Sequence, residues 1–218
     1  MAISVTGKVT CQAKALTGVQ ISDGTNIVET DCKGRYRIEV TLGSDLIYYT
    51  LPTGYESPVI DGIPVFFAKV NSNLQKLKVD FELIKSDKSQ LKHRMILWAD
   101  PQVLDMSEFD QLQEVIDDVN KTIVTFPKDE PVHAISAGDN VFDRLQFFDK
   151  YKQMISQVKV PFYQLIGNHD MDYNNRSNEL SDVSFKAAFG PTHFAFNRGR
   201  IHYVILKDVF YYGFTHRY

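Results

Sequence analysis

Three apolar runs in the second half of this 218-residue chain end in side chains that bind metals or move protons. "RMILWADPQ" closes on Asp100 and Gln102, "HAISAGDNVFD" on Asp139, Asn140 and Asp143, and "FYQLIGNHD" on Asn168, His169 and Asp170. A buried strand needs none of these groups. Asp and Asn oxygens together with an imidazole nitrogen suit Mn, Fe or Zn better than a thiolate-seeking ion, and this half contains no cysteine. Two such ions about 3.5 to 4 Å apart can clamp a phosphate and lower the pKa of a bridging water. Both ions need a shared carboxylate, and Asp139, central among the three run ends, is the candidate. Gly138 and Gly167 precede ligand positions, where a residue without Cβ lets the backbone turn sharply.

The elements that position these groups follow from periodicity. The apolar runs 95–99, 132–137 and 161–166 alternate with helical segments at about 107–125 and 144–157. The first helix rests on Phe109, Leu112, Val115, Ile116, Val119 and Ile123, which recur at three- and four-residue steps, with Ser107 as its cap. An order β-α-β-α-β implies a mostly parallel, buried sheet with helices on its faces. The carboxyl ends of its strands lie along one edge, where ligands bind in such folds. Residues far apart in sequence should therefore converge.

The first half reads differently. From residue 3 to 84, short β-branched and aromatic runs are separated by turn residues, with Asp23-Gly24 and Gly34 at corners that need positive φ. Several short strands imply a β-sandwich. The polar stretch 86–93 has neither strand nor helix period and reads as a linker. The expected organisation is a sandwich over 1–85, a linker over 86–93 and an α/β domain over 94–218.

Composition narrows the function classes. Apolar residues make up 44% and charged residues 23%, close to the average of folded globular proteins. The formal net charge is −3, without a long basic run, so neither nucleic acid nor an anionic membrane is an expected partner. No stretch approaches the roughly 20 apolar residues of a membrane helix, and the first residues lack a signal-peptide pattern. Cys11 and Cys32 are the only cysteines and do not make a disulfide framework.

"GDNVFDR" followed by "GNHD", with an Asp-x-polar pair on an earlier strand, resembles the calcineurin-like metallophosphoesterase superfamily over about residues 93–207. "FKAAFGPTHFAFNRGRIHYVILKD", residues 185–208, resembles the segment after that motif in bacterial members, where a Phe-Gly-Pro corner leads into two strands. "GVQISDGTNIVETDCKGRYRIEV" resembles the carboxypeptidase regulatory-like or transthyretin-like sandwich that precedes the catalytic domain in one bacterial branch. The resemblance implies a four-layer α/β/β/α catalytic domain and hydrolysis of a small phosphate mono- or diester at a dinuclear site. It implies two divalent transition ions, with Asp100 and Asp139 at one and Asp139 and Asn168 at the other, Gln102 either giving the first ion an amide oxygen or leaving it a ligand short. It gives His169 to the leaving group, Asp143 to the orientation of His169 and Arg144 to the phosphate. It also implies a periplasmic or secreted location.

The sequence departs from the family pattern at three places. Its first motif is Asp100-Pro101-Gln102, as in some members, where Asp-x-His is usual. One additional residue precedes Asp143-Arg144. The later metal-binding histidines, typically Gly-His-x-His, do not occur up to Tyr218, and His216 lies outside such a motif. The expectation is the front portion of a longer protein whose catalytic remainder follows Tyr218. Weak metal occupancy and little activity are then expected of these 218 residues. The alternative is a non-catalytic binding or cell-surface module on a degenerate phosphoesterase fold. Taken singly, Asp143 can cap the next helix and Asp170 can support its loop, while His93, His133, His193 and His202 read as structural.

Overall fold

The computed structural model describes residues 3–70, 75–175 and 177–210. The chain divides into two compact units: residues up to Pro58 with Val65–Lys92 and His193–Val204, and Val59–Pro64 with His93–Thr192 and Ile205 onward.

The first unit is built on β1 (Ile3–Cys11), whose burial alternates as a strand with one face inward requires. It pairs antiparallel with β4 (Arg35–Val40) and parallel with β7 (Lys76–Lys78) and β8 (Phe81–Glu82). A second, antiparallel sheet runs in the order β6 (Phe67–Lys69), β5 (Leu46–Tyr49), β2 (Gln20–Ser22), β3 (Ile27–Glu29). Val5, Val9, Tyr36 and Ile38 of the first sheet and Ile21, Ile47 and Tyr49 of the second are buried. Tyr49 meets Phe81 edge-to-face at 5.1 Å, so the two sheets share one core. This is the expected β domain. The corner at Gly24 has φ 95°, and its geometry is set by Asp23, whose carboxylate accepts the backbone N–H groups of Thr25 (2.9 Å), Asn26 (2.7 Å) and Thr41 (2.6 Å). Cys11 is buried, Cys32 is exposed, and both are free thiols.

The first unit also takes in a hairpin from late in the chain, β12 (Phe194–Arg198) and β13 (Ile201–Ile205). These are the two strands expected after the Phe189-Gly190-Pro191 corner. Asn197 N donates to Leu51 O (2.9 Å), and the buried Arg198 guanidinium grips both oxygens of Glu56 at 2.7 and 2.6 Å. Gln90, inside the polar stretch 86–93, is buried on the same unit: its Oε1 accepts Gly54 N (2.7 Å) and its Nε2 donates to Tyr55 O and Glu56 Oε1.

In the second unit, β9 (Arg94–Trp98), β10 (Val132–Ser136) and β11 (Phe162–Gln164) form a parallel sheet in that order. The intervening helices are α1 (Glu108–Thr125) and α2 (Phe148–Ile155), the latter entered through a 3-10 turn at Leu145–Phe147. α3 (Val183–Phe189) adds Phe185 and Phe189 to a core shared with Phe109, Leu112, Ile116, Phe148, Tyr151 and Phe162. Two details differ from expectation. Val115 is 47% exposed, because it stands about 100° around the helix from Ile116 and falls on the flank of the buried stripe. The sheet is not buried on both faces throughout: Ile96 and Trp98 of β9 pack on the core, while the alternate residues Met95 and Leu97 are 43% and 59% exposed. Among the described residues, β9 has one neighbour in the sheet and is an edge strand. Among the described residues, no helix is long and apolar enough to cross a membrane.

Candidate functional site

Three loops leave the carboxyl ends of the parallel strands: 99–103 after β9, 137–144 after β10 and 165–170 after β11. The ladder continues past the strands, with Ala137 N donating to Trp98 O (2.9 Å), Asp100 N to Gly138 O (3.2 Å) and Gln102 N to Asp139 O (2.9 Å). Val103 then bridges Val141, and both are buried. The first two loops are thus one backbone-paired unit rather than two free ends.

These loops carry strain. Asp100 (φ 55°), Gln102 (φ 44°), Asp139 (φ 52°) and Asp143 (φ 56°) all occupy the left-handed region, which is uncommon for residues other than glycine. Each such conformation costs on the order of 1–3 kcal/mol and persists where surrounding bonds over-determine it. Left-handed turns re-aim a side chain within one residue. Here they aim side chains at one another.

Gln102 Nε2 donates to Asp139 Oδ2 at 3.1 Å and lies 3.3 Å from Asp100 Oδ1. The electropositive end of an amide therefore stands between two carboxylates from different strands. Asp139 Oδ1 accepts the backbone N–H of His169 (3.0 Å). The His169 ring, 2% exposed as a residue, shares a 3.0 Å bond between Nδ1 and Asp143 Oδ1, and Phe142 stacks on it with centroids 4.0 Å apart. Asp143 reaches the histidine from a left-handed backbone conformation. Five of the seven sequence-derived site residues, Asp100, Gln102, Asp139, Asp143 and His169, thus form one hydrogen-bonded set. Asn168 lies in the 3-10 turn Asn168–Asp170, half-buried, its carbonyl accepting Tyr173 Oη at 2.6 Å. Arg144 is exposed beside Asp143 and stands outside the bonds given above.

Two run-end residues turn away from the site. Asn140 is fully buried: its Oδ1 accepts the hydroxyls of Ser136 (2.6 Å) and Tyr151 (3.0 Å), and its Nδ2 donates to Leu165 O (3.0 Å) and Asp170 Oδ2 (3.1 Å). With all four amide positions engaged it is no metal ligand. Asp170 is equally buried and accepts the N–H groups of Gly167 (2.9 Å), Asn140 (3.1 Å) and Val141 (3.1 Å). Burial pushes its carboxyl up to about 7, against the pull of those three N–H groups, and the charge of Asp139 adds to the rise. The support of Tyr151 was not visible in the sequence, where it reads only as an aromatic on the buried stripe of α2.

The two glycines differ in their reasons. Gly138 has φ 101°, a turn position. Gly167 is extended, at φ −104°, and is required for space: a Cβ there would lie 2.0 Å from Asp139 Oδ1 and 2.2 Å from Asp139 N. Among the described residues, no group of three or more His, Cys, Asp or Glu side chains is placed to hold a metal ion. The donor set is instead two carboxylates and an amide, with Asn168 adjacent in sequence to His169.

Residues 3–86 match the family described as the N terminal of Calcineurin-like phosphoesterase. The β domain of the first unit is thus similar to the domain that precedes calcineurin-like phosphoesterases. No curated protein matches the chain. The phosphoesterase domain match covers the first-unit strands β1 to β8 and stops before Asp100, so the site residues rest on their own geometry. What it adds is context for the first unit alone.

Proposed function

We infer that the second unit is the α/β portion of a metal-dependent phosphoesterase that hydrolyses a phosphate mono- or diester of a small substrate. The observation that carries this reading is the Gln102 amide nitrogen held between Asp100 and Asp139, beside the Asp143–His169 pair. Two carboxylates around one electropositive atom are the donor chemistry a divalent cation seeks. Asp100, Gln102 and Asp139 would hold one Mn, Fe or Zn ion, the amide then presenting its oxygen, and Asp139 with Asn168 would hold a second. Such ions, when bound, supply the positive charge a phosphate needs and make a water nucleophilic at neutral pH.

The side chains of this chain do the remaining work. Asp143 accepts a hydrogen bond from Nδ1–H of His169 and orients the ring; in the doubly protonated imidazolium, Nε2–H is then the proton that can pass to the departing oxygen. Phe142 holds the ring plane. Arg144, exposed beside Asp143, would meet a phosphate oxygen arriving from solvent. Occupancy should be weak, because an amide is a poorer ligand than an imidazole and only two of these donors are charged.

Gln102 also favours a second reading, since an amide already bridging the carboxylates can serve a non-catalytic binding module on the same fold. Hydrolysis of bis(p-nitrophenyl) phosphate and p-nitrophenyl phosphate with added Mn²⁺ separates the two. The enzyme reading expects slow metal-dependent turnover that Asp139→Asn and His169→Asn abolish; turnover equal in all three proteins, or absent at saturating Mn²⁺, favours the binding module.

A further inference from the structure

The strained backbone at Asp139 and the turn at His169 are held from behind by a buried relay that touches neither the metal position nor the solvent. Tyr151 Oη, on α2, donates to Asn140 Oδ1 at 3.0 Å, and Asn140 Nδ2 donates to Asp170 Oδ2 at 3.1 Å. Asp170 in turn takes the N–H groups of Asn140 and Val141 from the second loop and of Gly167 from the third. One carboxylate thereby ties together the two loops that carry Asp139 and His169. The side chains of Tyr151, Asn140 and Asp170 are all buried, and Ser136 closes the remaining acceptor site on Asn140.

We propose that Asp170, set by Asn140 and the hydroxyl of Tyr151, is a positioning residue that holds Asp139 and His169 in register. The claim rests on the phosphoesterase reading for its use, but its geometry can be tested apart from any metal. The diagnostic bond is His169 N to Asp139 Oδ1, 3.0 Å, because the Asp170 carboxylate is hydrogen-bonded to neither group in it. A brace that merely adds stability leaves this bond as protected as any other of equal global stability. A brace that sets the register leaves it selectively exposed when it is cut.

The test is amide hydrogen exchange on the whole chain, in Asp170→Asn and in a destabilised control, Phe185→Leu, in the core of α3, compared at equal global stability. Exchange at His169 is expected to rise at least tenfold in Asp170→Asn over the control. Tyr151→Phe removes a single hydroxyl and serves if Asp170→Asn does not fold; at least a threefold rise is expected. Rates at His169 equal to the control overturn the proposal. Mn²⁺ affinity is measured alongside: where the parent chain binds the ion, Asp170→Asn should bind it at least tenfold more weakly, and unchanged affinity overturns the proposal. A parent chain that binds no Mn²⁺ defeats the phosphoesterase reading instead, and the exchange rate at His169 still decides whether the relay positions the loops.

Discussion

Gly167→Ala separates a steric requirement from a conformational one. Gly167 has an extended backbone that any residue adopts, so the substitution carries no left-handed penalty. Its cost comes from contact alone: the new Cβ would stand 2.0 Å from Asp139 Oδ1, 2.2 Å from Asp139 N and 2.7 Å from Asp139 Cγ. Ordinary contact begins near 3.4 Å, and the obstructing atoms include backbone, so the second loop must shift by more than an ångström. That shift gives up the His169 N–Asp139 bond and the Gln102–Asp139 bond. Overpacking costs about 1–3 kcal/mol and each of the two lost hydrogen bonds about 1 kcal/mol, so a loss of about 3–5 kcal/mol is expected. Gly43→Ala is the contrast, with φ 92° and nothing within 4 Å of its Cβ; only the backbone penalty of about 1 kcal/mol should appear. Urea unfolding followed by Trp98, the single tryptophan and a residue of the second unit, reads the Gly167 variant. Circular dichroism reads Gly43→Ala. A Gly167→Ala midpoint within error of the parent would mean that the two loops do not meet at Asp139 as described.

Three further outcomes follow from the same geometry. Arg198→Met leaves Glu56 with Gln90 and Ser86 as donors but no guanidinium, and should cost about 3 kcal/mol in urea unfolding, as breaking a buried pair does, while Arg198→Met with Glu56→Met should recover part of the loss. Asp23→Ala removes the acceptor of three backbone N–H groups and should destabilise the first unit by about 1–3 kcal/mol by circular dichroism. Burial raises the Asp23 pKa, but the N–H groups of Thr41, Asn26 and Thr25 outweigh it and the net shift is downward. Its stabilising contribution is therefore complete above the ordinary carboxylate range and lost as pH falls below it, so parent and Asp23→Ala stabilities should converge on acidification. Gln102→His replaces an amide between two carboxylates with an imidazole and should tighten Mn²⁺ binding at least tenfold by calorimetry; unchanged or weaker binding would place residue 102 outside the metal position.

The convergence of the three strand ends was legible because β-α-β-α-β order and parallel pairing follow from periodicity, and the edge where ligands gather follows from both. The start of α1 was legible too, although Ser107 does not cap it: its hydroxyl turns to Asp105 (2.6 Å), and the Glu108 carboxylate takes Leu104 N. The left-handed backbone at Asp100, Gln102, Asp139 and Asp143 was not legible, since nothing in an aspartate or glutamine announces positive φ. The inward turn of Asn140 was hidden for a similar reason, because the same amide serves a metal or a buried hydroxyl equally well. The attachment of Phe194–Arg198 to Leu51 and Glu56 joins residues far apart in sequence, and local pattern carries no trace of such partners.

The central claim is that Asp139 is the shared carboxylate of a divalent-cation site. It is tested most directly by titrating Mn²⁺ into the whole chain and into Asp139→Asn, with free ion followed by electron paramagnetic resonance. Saturable binding in the parent that disappears in Asp139→Asn is the expected result. No saturable binding in the parent, or equal binding in both proteins, would contradict the account.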